Sequence, residues 1–572
     1  MRILAATVSS ATLPCVPKVQ NNPALASAKP RPTREFWLGL LCIAAVLIVD
    51  SRLFTAGFTN LDDRGTLTEN PKFNPPSWSN IGYYWNWNHT AADLYVPVTY
   101  TLWGVLALAT WVQTPDEAGV HLDPHVFHAT NVLLHALAAC LVFRLLRQLH
   151  SRPWPALFGA LFFALHPLQV EPVGWVSGTK DVLSGALALA AMCCYVQFTQ
   201  TTRRQSVWFA IATLAFVMAM LAKPSAAMLP LLIAVVDRFL LRRSWRQSIA
   251  PVIYWSALAI PVLIIARFAQ AALHGNTIPI HFRPALAASA IAFYLGKLVL
   301  PIHLAFDYGL RPGEMCHHLW PYLLGVVVLI LAITIWRIRK PRLIAAVCWF
   351  VVCLLPVLGL SSFDWEWYSL VADHYVYLAM FGPALAIAWI LDIYDTSEVA
   401  RVVAVLILAA LGCGSFVQSQ YWTTNRKLAE RAIQINPCSF TSYAMLGLEE
   451  AAHDPDQAIK DCRTSLGIEP GFYAVAEVLE IVLANQRKYG EALDVIDQAR
   501  RFSDTQPPQE RVDPTRTLRR VARIAEQQGD FGVAEKCYLR ILAERPDDAD
   551  ALDGLQRAFR MPASRISSTT KP

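Results

Sequence analysis

The sequence predicts an all-α chain in two parts: a polytopic transmembrane helical domain, then a solenoid of short helix pairs. Three observations predict it. Of 572 residues, 55% are hydrophobic and only 16% charged, against roughly a quarter charged in ordinary soluble proteins. Nearly half of the charged residues, 44 by count, lie after position 419. Before that position several runs reach the roughly 17–25 apolar residues that cross a bilayer as a helix; after it, apolar residues recur at amphipathic helical spacing.

Residues 1–35 read as a cytoplasmic tail, because the apolar run from Leu4 to Pro14 is short and broken by Ser, Thr and Pro. A transmembrane domain over 36–419 follows, with spans expected at 36–54, 126–149, 154–170, 182–199, 206–222, 224–240, 249–270, 320–337, 343–361, 374–392 and 399–417. These make about eleven. Basic clusters follow alternate spans and mark the cytoplasmic side: Arg144, Arg147 and Arg152; Arg203 and Arg204; Arg238, Arg242, Arg243 and Arg246; Arg337, Arg339, Lys340 and Arg342. With Lys29, Arg31 and Arg34 also inside, the stretches 55–125, 171–181, 271–319 and 362–373 fall on the other side. Two weaker apolar stretches, 97–113 and 286–303, fit re-entrant or interfacial helices, since counting either one alone as a span would move a basic cluster outside. If both span, the count is about thirteen and the sidedness is unchanged.

The net charge of +6 does not mark a nucleic-acid binder, because most Lys and Arg of the membrane part sit beside apolar runs. Twelve Cys residues without a CxxC spacing indicate neither a zinc site nor a disulfide framework.

The chemistry is expected in the outer loops. The first, 55–125, carries the adjacent carboxylates Asp62 and Asp63. One account has Asp62 capping a short helix and Asp63 pairing with Arg64; the other has one carboxylate, beside a like charge and a low-dielectric surface, acting as a general base. The second loop brings Glu171, Trp175, Ser177, Lys180 and Asp181, and a hairpin on the same side brings Lys223 before Pro224. Each lysine alone fits snorkelling to lipid phosphates; Lys180, Lys223 and Lys297 together fit reception of a lipid-linked phosphate. The last loop carries Trp365 and Trp367, which fit interfacial anchors, and then Asp373 and His374 at a helix entry, placed to orient a reacting group or bind phosphate, although helix capping accounts for part of Asp373. His121, His125, His128 and His135 imitate a metal ladder, but no carboxylate completes a ligand set on their face, so Asn131 and His135 are expected to make interhelical hydrogen bonds.

From 420 to 560 amphipathic helices come in pairs. Pro437 and Pro470 end helices 33 residues apart, close to the roughly 34-residue tetratricopeptide period. Tyr443, Leu446, Gly447 and Ala458 fit the packing positions of such a repeat, and three to four degenerate repeats are expected, interrupted at Ser503 to Thr515. Their concave face suits a protein or peptide partner. Residues 561–572 are expected to be a disordered tail.

Several segments now stand in a telling order: Leu61, Asp62 and Asp63 with Asn70 and Pro71; Tyr95, Val96 and Pro97; Phe127, His128, Asn131 and His135; Ala164 to Glu171 (ALHPLQVE); Trp175 to Leu183 (WVSGTKDVL); Ala222, Lys223 and Pro224; Ala372 to Leu378 (ADHYVYL). In this order, at outer membrane boundaries, they resemble the multipass mannosyltransferases with C-terminal tetratricopeptide repeats, within the GT-C fold class of lipid-phosphosugar-dependent glycosyltransferases. The resemblance implies a catalytic carboxylate at Asp62 or Asp63, a polyprenyl-phosphate sugar as donor, and Lys180, Lys223 and His374 stabilising the departing phosphate, with Glu171, Asp181 and Asp373 in the same substrate-binding neighbourhood. No cofactor is expected, and a divalent metal is not required. Two positions depart from the family pattern, His374 where Arg is frequent and Val96 where Arg is common before Pro97; neither supplies the family's permanent positive charge for phosphate, and a histidine at 374 would make the affinity there depend on pH. The expected partners are the donor, a protein or peptide acceptor held by the repeats, and the bilayer, in a bacterial inner membrane with site and repeats in the periplasm. A non-catalytic membrane scaffold displaying the repeats is the competing reading; a transporter fits less well, because ionisable residues gather at one surface and not at mid-depth.

Overall fold

The computed structural model describes residues 32–91, 94–115, 119–269, 278–502 and 514–560. Most of the N-terminal tail and all of the C-terminal tail named above lie outside them. Among the described residues the chain is helical throughout and has no strand, only three isolated bridge pairs.

Among the described residues six helices are long and apolar enough to cross a membrane: Pro124–Gln148, Val176–Gln200, Gln205–Ala222, Trp245–Ala269, Trp320–Ile338 and Glu398–Trp422. The protein is a multi-pass membrane protein. The helices differ in what they face. The rest of the chain buries 61% of the apolar stretch of Val176–Gln200 and 56% of that of Pro124–Gln148, but only 6% of that of Trp320–Ile338. Since all are apolar, the first two form the centre of the bundle and the last presents its side chains to lipid.

A seventh candidate is the pair Pro153–Leu165 and Pro167–Gly174, bent by 52°. Pro167 has no N–H to continue the ladder and pushes His166 into an extended conformation. The His166 ring then accepts from the Leu168 N–H at 3.2 Å, capping the new segment. Other expected spans are broken as well. The 224–240 run consists of a turn at Pro224–Met228, a short helix at Leu229–Val235 and a π-turn at Val236–Leu240, and the 374–392 run begins as a turn at Asp373–Val376 before Phe381–Ile393. Pro97–Thr110 has 14 residues, about 21 Å of helix, less than the ~30 Å of a bilayer core.

The C-terminal part stacks three helix pairs, Phe440–Glu450 with Pro455–Ile468, Tyr473–Asn485 with Tyr489–Phe502, and Pro514–Gln527 with Phe531–Glu544, led by Asn425–Ile435 and closed by Ala549–Arg560. Thr424 and Asp454 cap two of these helices by accepting from the backbone N–H three residues on. Gly447 lets the first pair close, for a β-carbon there would strike Cys462. The array is fastened to the membrane part at several loops. Arg311 pairs with Glu469 at 3.1 Å, Ser439 Oγ donates to Asp307 Oδ2 at 2.6 Å, the Asn60 N–H donates to Asn425 Oδ1 at 2.7 Å, and the Tyr368 and Phe440 rings stack. The apolar core of the membrane part continues into Leu428, Ala429, Ala432 and Met445, and a second core begins at Ala458.

Candidate active site

The two adjacent aspartates face different surroundings. Asp63 is fully buried. Its Oδ2 accepts from Thr59 N–H at 3.0 Å and Thr59 Oγ1 at 2.8 Å, and its Oδ1 from Ser177 N–H at 2.8 Å and Ser177 Oγ at 2.6 Å. Burial pushes this carboxyl above its ordinary value, and the four donors pull it back. Asp63 thereby fastens the first loop to the turn Val176–Gly178. Asp62 points the other way: its Oδ2 accepts from Lys180 Nζ at 3.2 Å, and its side chain is partly open. Arg64 is engaged by Glu69 at 2.6 Å and not by Asp63.

Lys180 and Asp181 sit in the first turn of a helix that begins after Gly178, where a β-carbon would collide with the Pro172 carbonyl. The Lys180 ammonium lies 5.1 Å from the centre of the Trp175 ring. Lys223 ends its helix because Pro224 forces it into an extended conformation, which sends its ammonium to Asp181. Burial draws the Lys223 ammonium below its ordinary value, and Asp181 opposes that. His374 is held by Glu171, whose Oε1 accepts from the His374 N–H at 3.2 Å and lies 2.5 Å from Nδ1. Nε2 is therefore the ring nitrogen left for other partners. Asp373 accepts from Tyr308 OH at 2.8 Å, and burial pushes its carboxyl up.

These groups meet at a cavity of about 1460 Å³ whose lining includes Asp62, Lys180, Lys223 and His374, together with Trp175, Trp365 and Tyr375. Asp63, Glu171, Asp181 and Asp373 are not among its lining residues. Three of these four hold something that is: Asp63 the loop of Asp62, Glu171 the His374 ring, Asp181 the Lys223 ammonium. Lys297 is also outside the lining, donating to the carbonyls of Ile302 and His303 at 2.8 and 3.0 Å. Tryptophans 175 and 365 serve as cavity wall. Thr59, and Arg516 and Arg520 from the C-terminal array, are contributors the sequence reading did not single out; nothing in a lone threonine or in two arginines on an amphipathic helix sets them apart.

Two of the four histidines, His128 and His135, are buried and make hydrogen bonds between segments. His128 Nε2 meets the Gly57 carbonyl at 3.1 Å, His135 bridges Tyr377 OH and the Ala164 carbonyl at 3.0 Å each, and Asn131 donates to the Trp175 carbonyl at 2.9 Å while accepting from Thr179 Oγ1 at 2.7 Å. Among the described residues no group of three or more His, Cys, Asp or Glu is placed to hold a metal ion.

Residues 125–269 match the family described as "Dolichyl-phosphate-mannose-protein mannosyltransferase". That stretch contains Glu171, Lys180, Asp181 and Lys223; the aspartate couplet and His374 lie outside it. A mouse protein named Protein O-mannosyl-transferase TMTC2 is 31% identical over 136 residues, which are 23% of this chain and 16% of that protein. A Caenorhabditis elegans protein, Protein O-mannosyl-transferase F38B6.6, is 21% identical over 333 residues, 56% of this chain and 47% of that one. The chain thus spans less than half the length of these relatives. A solved oligosaccharyltransferase from Archaeoglobus fulgidus aligns with a TM-score of 0.40 and 12% identity over 76% of this chain and 59% of its own. The mannosyltransferase resemblance drawn from the motifs is the one the family match and the curated relatives carry.

Proposed function

We propose that this chain is a membrane glycosyltransferase of the GT-C type that moves a sugar, mannose by resemblance, from a polyprenyl phosphate to a protein hydroxyl on the non-cytoplasmic side. The observation that carries this reading is that one carboxylate, Asp62, and three groups able to bind phosphate, Lys180, Lys223 and His374, line a single cavity. In the reaction Asp62 accepts the proton of the acceptor hydroxyl, the freed oxygen attacks the anomeric carbon, and the bond from that carbon to the phosphate oxygen breaks with its electron pair on the phosphate. Lys180 and Lys223 stabilise the departing polyprenyl monophosphate as preorganised charges, and His374 Nε2 donates to it in the tautomer whose Nδ1 accepts from a protonated Glu171. A monophosphate leaving group gains little charge, so the reading requires no divalent metal.

The topology of this reading has eleven to thirteen crossings in a bacterial inner membrane, with cavity and helix pairs in the periplasm. Its support is the distance between charges. His128 touches the Gly57 carbonyl near the first turn of Pro124–Gln148, while Arg147, at the other end of that 25-residue helix, pairs with Glu35 at 2.7 Å; such a helix is about 37 Å long. The aspartate loop and the basic cluster therefore sit at opposite ends of the bundle, as the positive-inside rule asks. The C-terminal pairs, read as a tetratricopeptide-like solenoid, receive the acceptor.

The experiment is transfer by the purified protein from polyprenyl-phosphate mannose to candidate acceptor proteins, with Asp62→Asn beside the wild type. A general base is worth about 10²–10⁴-fold, and the variant is expected to lose that much. A scaffold would tolerate Asp62→Asn without loss of function. Absence of transfer by the wild type with every polyprenyl donor tried would overturn the reading.

A further inference from the structure

The cavity has a second wall, and that wall comes from the C-terminal array. The first helix of each of the three pairs turns one stripe toward it: Met445 and Leu448, then Val478 and Ile481, then Arg516 and Arg520. Spacings of three, three and four residues put each couple on one face of its helix. The three helices lie side by side, so the stripes form one strip, apolar at the first two pairs and cationic at the third. Glu477 pairs with Arg520 at 3.6 Å. The neighbouring Glu480 is almost completely buried, and burial pushes its carboxyl up to about 9, so Glu477 alone offsets the two arginines and the end keeps a net positive charge.

The strip is fixed in place. The Arg311–Glu469 pair, the Ser439–Asp307 hydrogen bond and the Asn60–Asn425 hydrogen bond hold the array on the membrane part. The strip and Asp62 line the same cavity, so a molecule seated along the strip shares one space with that carboxylate. At about 1460 Å³ the space exceeds the roughly 300–1,000 Å³ of common small-molecule pockets, which leaves room for a phosphosugar and a peptide segment together, while a folded domain is far larger.

Resting on the transferase reading, the geometry points to an acceptor that enters as an extended segment between array and membrane part, with acidic side chains a few residues from its hydroxyl meeting Arg516 and Arg520. Apolar residues nearer the hydroxyl lie along Met445, Leu448, Val478 and Ile481. An unfolded acidic stretch is thus selected over a basic one and over the same hydroxyl in a folded domain.

The test measures binding of fluorescent Ser/Thr peptides to the full-length protein in zwitterionic nanodiscs without donor lipid, the peptides differing only in Asp, Asn or Lys at the flanking positions. Two partly exposed ion pairs correspond to about three- to tenfold, so the Asp peptide should bind that much more tightly than the Asn peptide, and the Lys peptide more weakly. The order should reverse in R516E/R520E and survive in R516K/R520K, which separates charge recognition from misfolding. Equal binding of all three peptides, an order unchanged by charge reversal, or displacement of the Asp peptide by anionic phospholipid would each overturn the inference. A parallel transfer assay keeps the two readings apart. Transfer without charge preference sinks this inference alone, and charge-sorted binding without transfer sinks the enzyme reading while leaving a peptide cleft.

Discussion

The Lys180 ammonium lies 3.2 Å from the Asp62 carboxylate, bridging 118 residues of chain, while Asp63 turns its back on both and is enclosed by Thr59 and Ser177. Two neighbouring carboxylates thus have separable tasks. Asp62→Asn should lower kcat about 10²–10⁴-fold and change stability by no more than about 1 kcal/mol. Asp63→Asn should act on the fold: an amide in place of one carboxylate oxygen faces donors, leaving buried N–H and O–H groups unpaired at about 1–3 kcal/mol each. Thermal unfolding in detergent beside single-turnover transfer tells the two apart; equal melting losses for both variants would contradict the division.

Lys223 and Asp181 form a buried pair at the cavity wall. Lys223→Met strands the carboxylate and should destabilise by about 3–5 kcal/mol. Adding Asp181→Asn should restore much of the melting temperature but not the transfer rate, because in the proposed reaction the lost ammonium meets the phosphate. If the double variant melts as low as the single one, the pair is not what holds this corner.

Glu480 supplies a pH dependence outside the membrane. Its carboxyl is pushed from 4.5 to about 9 by burial, with Glu477 adding to it. The folded array keeps a proton that the unfolded chain releases, so stability should fall as pH rises from about 4.5 toward 9. Glu480→Gln should flatten that slope and melt higher than wild type at pH 8. Melting curves of the full-length protein across this range decide it, and a parallel slope in the variant would refute the assignment.

Gly178 sits where a β-carbon meets the Pro172 carbonyl. Gly178→Ala should displace the turn that carries Ser177 and Lys180, costing about 1–3 kcal/mol and weakening transfer along with folding. Gly490, with nothing near its would-be β-carbon, serves as the control: Gly490→Ala should be close to neutral by melting temperature.

The sequence made the helical class, the apolar membrane part and the paired C-terminal helices legible, because hydropathy is a local signal; the grouping of Lys180, Lys223 and His374 with the aspartate couplet came through the family resemblance, since spacing alone does not bring separate loops together. It did not tell which aspartate faces the cavity. That depends on Ser177, 114 residues away, and on the rotation of one turn. Continuous apolar runs also concealed breaks: hydropathy does not register that Pro167 bends one run or that the 224–240 and 374–392 segments open with turns. Nothing local marks Arg516 and Arg520, because the surface they share a cavity with comes from another part of the chain.

The latches at Arg311, Asp307 and Asn60 bear on modularity. A solenoid joined by a free linker is interchangeable, and any repeat array grafted in its place would serve. Here the graft would have to reproduce Glu469, Ser439 and Asn425 in register, or the reaction chamber would lose one of its sides. Chimeras cut at the junction near residue 420 therefore inherit a breached vessel, whereas swaps that begin at Phe531, after the helix carrying Arg516 and Arg520, keep the vessel whole.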